Sequence, residues 1–525
     1  MVQELVVNAN LPFSLVKQRS FRHLMQCGFP SRHVMCRPKL MSEISKDAAE
    51  TMEVIRKKLG DLQYVSSTAD CWSLHKRSYL WVTAREIDPD TLEGCSFVLG
   101  CRRIRGRHTF DVLASRLEGV CTEYDILDKP TFTTTDSGSN FIKAFSHFGR
   151  QYEDYTDTSS ASEIEDDICT AVPIYYVLEA RDQSDGVYSL PHHQRCVCHM
   201  PNLIATKDVE NAEESSPKLK KQIRQTFSKC SALWKKQARS TVVPDAISSS
   251  CEGYLPTPVL TRWNSTCDCL KSLHGMLVHI EEKFKEVCEN FKIPRFTKSD
   301  IHFIEEHVQV LTPLAQAITL LQRENSMFMA YLRPTVASLR KTMSALLTEN
   351  LRYCSPVVES LIVAINKRFA GMEEEKHLII SAICHPKFKA AWIDNEVERK
   401  RAWDYLKNKL MRTSTIEKVS SGEQTDEDEE DCEHFFTFET SSSSASWEQE
   451  FVQYTELAAT RSLDCLKHLP LLKSVFLKFN TGLPSSAAAE RVYSIRGTIA
   501  IKLRSKMSDE HFGEVLILRS NRALK

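Results

Sequence analysis

Two aspartates follow runs of strand-forming residues. Asp136 ends TFTTTD within TFTTTDSGSNF, and Asp70 ends YVSSTAD. β-branched and aromatic residues favour strands, whereas aspartate is depleted there. Two carboxylates held close repel each other unless a cation lies between them, and carboxylates are natural ligands of Mg²⁺. If the two strands are neighbours, the pair predicts a divalent-metal site that could activate an attacking oxygen and stabilise a leaving one. The alternative is structural, with Asp70 in a turn and Asp136 capping a helix.

A third carboxylate, Glu490, lies in PSSAAAERVYS near the carboxyl terminus. Helical periodicity from about Ser486 predicts one apolar stripe, formed by Val492, Ile495, Ile499 and Leu503. Glu490 lies on the opposite face of that predicted helix. It is four residues after Ser486, whereas a capping box needs three. Taken alone, Glu490 is also compatible with an ordinary solvated glutamate.

Two further motifs contain residues that could bind metal or nucleic acid. In RCVCHMPNL, Cys196 and His199 have C-x-x-H spacing, but a structural zinc site needs four ligands, so packing or hydrogen-bonding roles are favoured. In TRWNSTCDCL, Arg262 precedes Trp263. That pair could contact phosphate and stack on an unpaired base, or Trp263 could be a buried residue at a helix start.

The elements that must position these residues alternate in type. The pattern predicts a helical segment first, then three closely spaced strands at 64–70, 78–87 and 94–104 that suit an antiparallel meander. A helix-period stripe in HTFDVLASRLEGVCTEY precedes the strand TFTTTD. Three strands, a helix and a fourth strand predict an α/β core.

Beyond the core, long apolar-periodic segments between about 200 and 410 predict a large α-helical region. An acidic stretch near 152–167 and an acidic, serine-rich stretch near 419–446 are typical of solvated or disordered segments. The predicted domains are therefore 1–60, an N-terminal helical segment; 61–150, the first part of the core; 151–168, an acidic loop; 169–418, the rest of the core and a helical insertion; 419–446, a linker; and 447–525, a C-terminal region that completes the core.

The composition indicates a globular protein with little net charge. The 525 residues include 42% hydrophobic residues, and 68 basic residues nearly balance 69 acidic ones, so nucleic-acid affinity would have to come from local patches. One such patch is 491–525, which begins with Arg491 and is rich in lysine and arginine. No apolar run is long enough for a membrane span, and the first residues do not resemble a signal peptide. Reduced thiols in the cytoplasm or nucleus are expected.

Taken together, the motifs resemble the hAT superfamily of transposases and their domesticated relatives, in particular those of the BED-finger type. The resemblance extends from about Leu11 to Asn521. It is carried, in order along the chain, by STADCWS, SYLWVTAREID, GRHTFDVLASRL, TTTDSGSN, RCVCHMPNL, TRWNSTCDCL and LPSSAAAERVYSIRGTIAIKLRSKMS.

The resemblance implies an RNase H-like core interrupted by an all-α insertion domain and followed by a C-terminal helical dimerisation region. It implies that Asp70, Asp136 and Glu490 form a catalytic triad that binds Mg²⁺ or Mn²⁺. It also implies that Cys196 and His199 form a structural motif, with zinc not expected. Arg262, Trp263 and Arg491 are the residues expected to contact DNA. The implied activity is DNA transposition in the nucleus, by nicking at transposon ends and joining to target DNA.

The sequence departs from these relatives in one respect. Residues 1–69 contain only Cys27 and Cys36 as cysteines, so we expect no BED zinc finger there. An intact triad favours a transposase, whereas the missing finger and the neutral charge favour a domesticated, non-catalytic regulatory scaffold.

Both functions predict a homo-oligomer formed through residues 470–521. The stripe at 492–503 is followed by the apolar residues Phe512, Val515, Leu516 and Leu518. An exposed stripe of this size usually marks a partner site, although some of it must pack inside the chain.

Overall fold

The computed structural model describes residues 2–74, 77–136, 138–150, 188–251, 253–259, 263–323, 326–420, 446–487 and 507–524. The chain divides into two compact units. The first comprises Met1–Cys196, Glu324–Ser326 and Thr481–Lys525, and the second comprises Val197–Arg323 and Met327–Asn480, as far as these residues are described. The described residues are mostly helical, with one small mixed sheet in the first unit. An α/β part combined with a large helical part is therefore confirmed.

The N-terminal segment is helical, as predicted. It contains α1 (Val2–Asn8), a 3₁₀ turn (Phe13–Lys17), α2 (Arg19–Gly28) and α3 (Arg37–Gly60). The buried residues of α3 recur every three or four positions and so lie along one face of the helix: Leu40, Ile44, Ala48, Thr51, Ile55 and Leu59.

The sheet has five strands in the order β3-β2-β1-β4-β5. They are β1 (Val65–Leu74), β2 (Arg77–Ile87), β3 (Gly94–Ile104), β4 (Pro130–Thr135) and β5 (His192–Arg195). β1, β2 and β3 form the predicted antiparallel meander, whereas β1 pairs with β4, and β4 with β5, in parallel. Strands β1, β3, β4 and β5 therefore run in the same direction, and their carboxyl ends lie at one edge, called here the carboxyl edge.

Two details of the sheet differ from the sequence prediction. β1 does not end at Asp70: it continues to Leu74 because its antiparallel pairing with β2 extends to the pair Leu74 and Arg77. Asp70 is therefore an interior residue of β1. β5 was not predicted, because its sequence, HHQR, has no apolar alternation and no β-branched residue.

Helices α4 (Phe110–Glu123) and α5 (Ser139–Phe148) pack on one face of the sheet. The predicted stripe of α4 is confirmed, since Leu113, Leu117 and Val120 are buried in the same apolar cluster as strand residues such as Leu80. Phe110, at the first position of α4, is only partly buried.

The C-terminal part of the first unit covers the other face. Residues 481–487 cross strands β1 and β4, with the Ser66 hydroxyl donating to the Thr481 carbonyl at 2.7 Å and the Thr134 hydroxyl donating to the Leu483 carbonyl at 2.8 Å. The last helix, α19 (Asp509–Ser520), buries its apolar residues in the cluster that also contains Trp72 and Tyr79. Phe512, Val515, Leu516 and Leu518 thus pack inside their own chain.

The second unit is helical in its described residues, as predicted for 200–410. Its helices are α6 (His199–Leu203), α7 (Val209–Ser215), α8 (Pro217–Arg239), α9 (Val242–Cys251), α10 (Trp263–His279), α11 (Glu281–Asn290), α12 (Lys298–Leu321), α13 (Leu332–Leu347), α14 (Ser355–Glu373), α15 (Lys376–Ile383), α16 (Glu396–Ser420), α17 (Trp447–Glu456) and α18 (Pro470–Asn480). In the described part of the chain, no helix is both long enough and apolar enough to span a membrane.

Some of the predicted domains lie outside the described residues, and one extends over both units. The predicted acidic loop at 151–168 lies outside the described residues, as does the predicted linker at 419–446 apart from its ends. The predicted C-terminal region, 447–525, is shared between the units, since α17 and α18 belong to the second unit and α19 to the first.

Candidate carboxylate site at the carboxyl edge of the sheet

Asp70 and Asp136 occupy matching positions on neighbouring strands. Ala69 of β1 pairs with Thr135 of β4 in parallel register, and each aspartate is the next residue along its strand direction. Side chains alternate between the two faces of a sheet, so residues that follow a parallel pair start towards the same face. The fold therefore brings together the two carboxylates that the sequence separates.

Each carboxylate is fixed by a backbone amide. Asp70 is 6% exposed, and its Oδ1 accepts a hydrogen bond from the Cys71 amide at 2.7 Å. Asp136 follows the last residue of β4 and is half-buried, and its Oδ1 accepts from the Gly138 amide at 3.1 Å. A Cβ atom at position 138 would lie 3.0 Å from that oxygen, so glycine permits the close approach. Asp136 accordingly shapes the turn into α5 while remaining partly accessible.

The thiol of Cys71, the residue after Asp70, is affected by the charges of both carboxylates. Its pKa is raised above the ordinary value of 9.0, first by burial and then by the negative charges of Asp70 and Asp136. Cys71 therefore stays protonated at neutral pH and is a poor nucleophile. The combined effect of both aspartates on one thiol agrees with their matching strand positions.

Hydroxyl side chains connect the strands on either side of the site. The Ser67 and Thr133 hydroxyls lie 2.7 Å apart between β1 and β4, and those of Thr68 and Thr83 lie 2.5 Å apart between β1 and β2. All four residues are buried. Buried hydroxyl groups need partners, and pairing them with one another fixes the positions of the strands.

His193 of β5 holds the residue that precedes Asp136. Thr135 Oγ1 donates to the carbonyl of Asp136 at 2.8 Å, and His193 Nε2 lies 2.8 Å from the same Oγ1. A hydroxyl has one proton, so Nε2 must donate to Thr135. The ring of His193 stacks on Phe145 with centroids 4.4 Å apart, and burial followed by the charge of Arg195 lowers its pKa to about 4. A neutral His193 that donates from Nε2 thus orients the backbone at Asp136.

Cys196 connects the end of β5 to the C-terminal segment. Its amide donates to the Thr135 carbonyl at 2.7 Å, and its Sγ accepts from the Ser486 amide at 3.4 Å. The Ser485 hydroxyl lies 3.7 Å from the same sulfur. Through these contacts, buried Cys196 fixes the chain at 485–486 beside the last residue of β4. His199, the other residue of the C-x-x-H motif, is exposed at the first position of α6.

The remaining predicted site residues are not described at side-chain level. Glu490, Arg491 and Arg262 lie outside the described residues, and Trp263 is described only as the first residue of α10. The helix proposed for the stripe at 492–503 also lies outside them.

The donor chemistry of the pair suits a hard divalent cation. Mg²⁺ binds through one or two carboxylates and completes its coordination with water and phosphate oxygens. Within the described ranges, no group of three or more histidine, cysteine, aspartate or glutamate side chains is arranged to hold a metal ion. In chemical type, Asp70 and Asp136 match the one or two carboxylates through which Mg²⁺ usually binds.

Sequence reasoning did not identify the supporting residues. The hydroxyl-rich runs VSST and TFTTT indicated strands, but which hydroxyls pair depends on strand neighbours that local pattern does not reveal. His193 contacts Thr135 only because β5, which has no strand signal of its own, pairs with β4. No family model matches the chain, and the comparison with curated proteins finds no match.

Proposed function

We propose that this chain is a nuclear protein related to the hAT transposases, and that Asp70, Asp136 and Glu490 bind Mg²⁺ or Mn²⁺ at a DNA phosphate. The proposal assigns the five-stranded sheet to an RNase H-like core and the second unit to the helical insertion. The parallel register of Ala69 with Thr135 is the observation that carries it, because it makes the first two members of the triad neighbours.

The path of the C-terminal segment supports the inclusion of Glu490. Ser485 and Ser486 contact Cys196, whose amide binds the carbonyl next to Asp136. Glu490 follows Ala487, the last described residue of this segment, by three positions. Three residues span at most about 11 Å. The length of the chain therefore allows Glu490 to reach the carboxyl edge.

In this proposal the protein supplies fixed carboxylates. Asp70 is held by the Cys71 amide and Asp136 by the Gly138 amide, so each carboxylate has little freedom to rotate. When bound, a divalent ion would polarise the scissile phosphate and lower the pKa of an attacking water. Through Thr135, His193 would keep Asp136 oriented.

The other predicted roles rest on the resemblance. We propose Arg262, Trp263 and Arg491 as DNA contacts and Cys196 with His199 as a structural motif that does not need zinc. The contacts of the Cys196 sulfur with Ser485 and Ser486 suit such a structural role.

We also propose self-association through 470–521. Since Phe512, Val515, Leu516 and Leu518 pack inside their own chain, the surface available to a partner would be the stripe at 492–503. An apolar interface of that kind would be little weakened by salt, because salt screens charges and not apolar contacts.

A nicking assay tests the catalytic part. Supercoiled DNA is incubated with the full chain and Mg²⁺ or Mn²⁺, and the relaxed product is measured for wild type, Asp136→Asn and Asp90→Asn. Asp90 is an exposed aspartate in the β2–β3 turn and serves as the matched control. We expect nicking by wild type and Asp90→Asn only. Equal nicking by Asp136→Asn would exclude this site as its source.

The second candidate is a domesticated scaffold that associates with DNA without cutting it. The net charge of −1 favours it, since the chain has no bulk attraction for phosphate. It predicts metal-independent DNA binding with no nicking by any of the three proteins.

A further inference from the structure

Four arginines lie where β3 leaves the sheet, and Arg105 and Arg107 are exposed. The stretch CRRIRGRH places Arg102 and Arg103 at the end of β3 and Arg105 and Arg107 in the loop that follows it. Gly106, between the two loop arginines, has φ +81°. A Cβ atom there would meet no other atom within 4 Å, so Gly106 forms an open turn with an exposed arginine on either side.

The positive charges of this region are only partly balanced. Arg102 pairs with Glu123. Asp509 pairs with two arginines, since its Oδ1 lies 3.4 Å from Nη1 of Arg77 and its Oδ2 lies 4.0 Å from Nε of Arg103. Arg105 and Arg107 make no ion pair within the described part of the chain. The loop therefore carries positive charge that no described acidic side chain neutralises.

Strand direction and register fix where this loop lies relative to the aspartates. β3 runs in the same direction as β1, and Cys101 of β3 is level with Asp70 through Trp81 of β2, so Arg105 follows that level by four residues, about 13 Å further along the strand direction. Arg195, the last residue of β5, is exposed at that edge and pairs with Thr135. Five strands about 4.8 Å apart span about 19 Å. Seen across the strands, the carboxylate pair thus lies between Arg195, which is level with Thr135, and the two loop arginines, which lie further along the strand direction.

We infer that Arg105, Arg107 and Arg195, here called the basic edge surface, bind the phosphate backbone of DNA lying across the carboxyl edge. This inference rests on the proposed function, to which it adds the path of the substrate. Two carboxylates alone repel a polyanion, so cations on both sides are needed to hold phosphates over them. Exposed guanidinium groups on a loop provide backbone contacts without sequence selectivity.

The test is the salt dependence of DNA binding by the full chain. A short duplex of mixed sequence is titrated without divalent metal between about 0.05 and 0.2 M salt, and the slope of log K against log salt is compared. Each lost phosphate contact makes that negative slope shallower by about 0.9, and the corresponding loss of affinity at 0.1 M salt is about eightfold. Arg195→Gln should show this change. Arg105→Gln with Arg107→Gln should reduce the slope by about 1.8 and the affinity about 60-fold.

The matched control removes two positive charges elsewhere on the first unit. Lys57 and Arg116 are exposed on α3 and α4, and Lys57→Gln with Arg116→Gln should leave the slope unchanged. If the double variant Arg105→Gln with Arg107→Gln keeps the wild-type slope, the inference that the basic edge surface binds DNA is wrong, while the proposed function stands. If wild type has no salt-dependent affinity for DNA, both are overturned.

Discussion

Replacing Asp136 by asparagine should stabilise the metal-free protein. Asp70 and Asp136 lie on adjacent strands one residue beyond a parallel pair, so their charges are about 5 Å apart. Two like charges at that separation repel by about 1–3 kcal/mol for an effective dielectric constant between 80 and 20. Asparagine keeps the Oδ1 that accepts from the Gly138 amide, so the substitution removes the charge and retains the hydrogen bond.

The assay is thermal unfolding of wild type, Asp136→Asn and Asp90→Asn, each with chelator and with excess Mg²⁺. In chelator, Asp136→Asn should raise the midpoint by about 2–4 °C for each kcal/mol of repulsion removed, while the control should not. Mg²⁺ should then stabilise wild type and Asp90→Asn but not Asp136→Asn. A lower midpoint for Asp136→Asn, with an unchanged response to Mg²⁺, would refute the pairing of the two carboxylates.

Three further predictions concern the buried histidines, the role of His193 at the site and self-association. Burial lowers the pKa of His193 and His307 to about 4 and that of His385 to about 3, whereas the unfolded chain has the ordinary value of 6.5. Because the unfolded chain therefore binds protons first, the free energy of unfolding should fall as pH decreases from about 6.5 to 4. Urea unfolding at pH 7 and 5 should show a loss of about 2 kcal/mol per histidine, and an equal loss in His307→Gln would contradict this. His193→Phe keeps the stacking on Phe145 but loses the donor to Thr135, so the Mn²⁺ affinity of this variant should be about tenfold below that of wild type. His193→Gln keeps a donor and should bind Mn²⁺ as wild type does. Equal Mn²⁺ affinities of His193→Phe and wild type would exclude a positioning role. Ile495→Glu with Ile499→Glu should reduce the mass measured by light scattering to that of one chain, and an unchanged mass would rule out this stripe as the interface.

Local patterns predicted most of the elements that position the site. Runs of β-branched residues identified β1 to β4, and spacing by three and four identified α3, α4 and the helices of the second unit. The antiparallel pairing of β1, β2 and β3 was predictable from their short connections, whereas the parallel pairings of β4 with β1 and with β5 and the full length of β1 were not. Asp70 lies inside β1 because β2 continues the strand beyond it, and β5 exists because β4 offers a free edge to a polar segment with no strand signal of its own.

The charged residues of the candidate site were predictable from the sequence, but the residues that hold them in place were not. Asp70 and Asp136 stood out as acids after strand-forming runs. The role of His193 depends on its contact with the Thr135 hydroxyl, which only strand pairing creates. The role of Cys196 depends on Ser486, which lies almost 300 positions later in the chain. The apolar residues of α19 could have faced a partner or the chain itself, and only the tertiary packing places Phe512 in the internal cluster.

The central claim, that three carboxylates form one metal site, is tested most directly by Mn²⁺ titration followed by electron paramagnetic resonance. Wild type, Asp70→Asn, Asp136→Asn and Glu490→Gln are compared with Asp90→Asn under the same conditions. We expect tight binding by wild type and Asp90→Asn, and a loss of about tenfold or more in each of the other three, because each loses a charged ligand. Wild-type affinity in Asp70→Asn or Asp136→Asn would contradict the site itself, and wild-type affinity in Glu490→Gln would remove Glu490 from it.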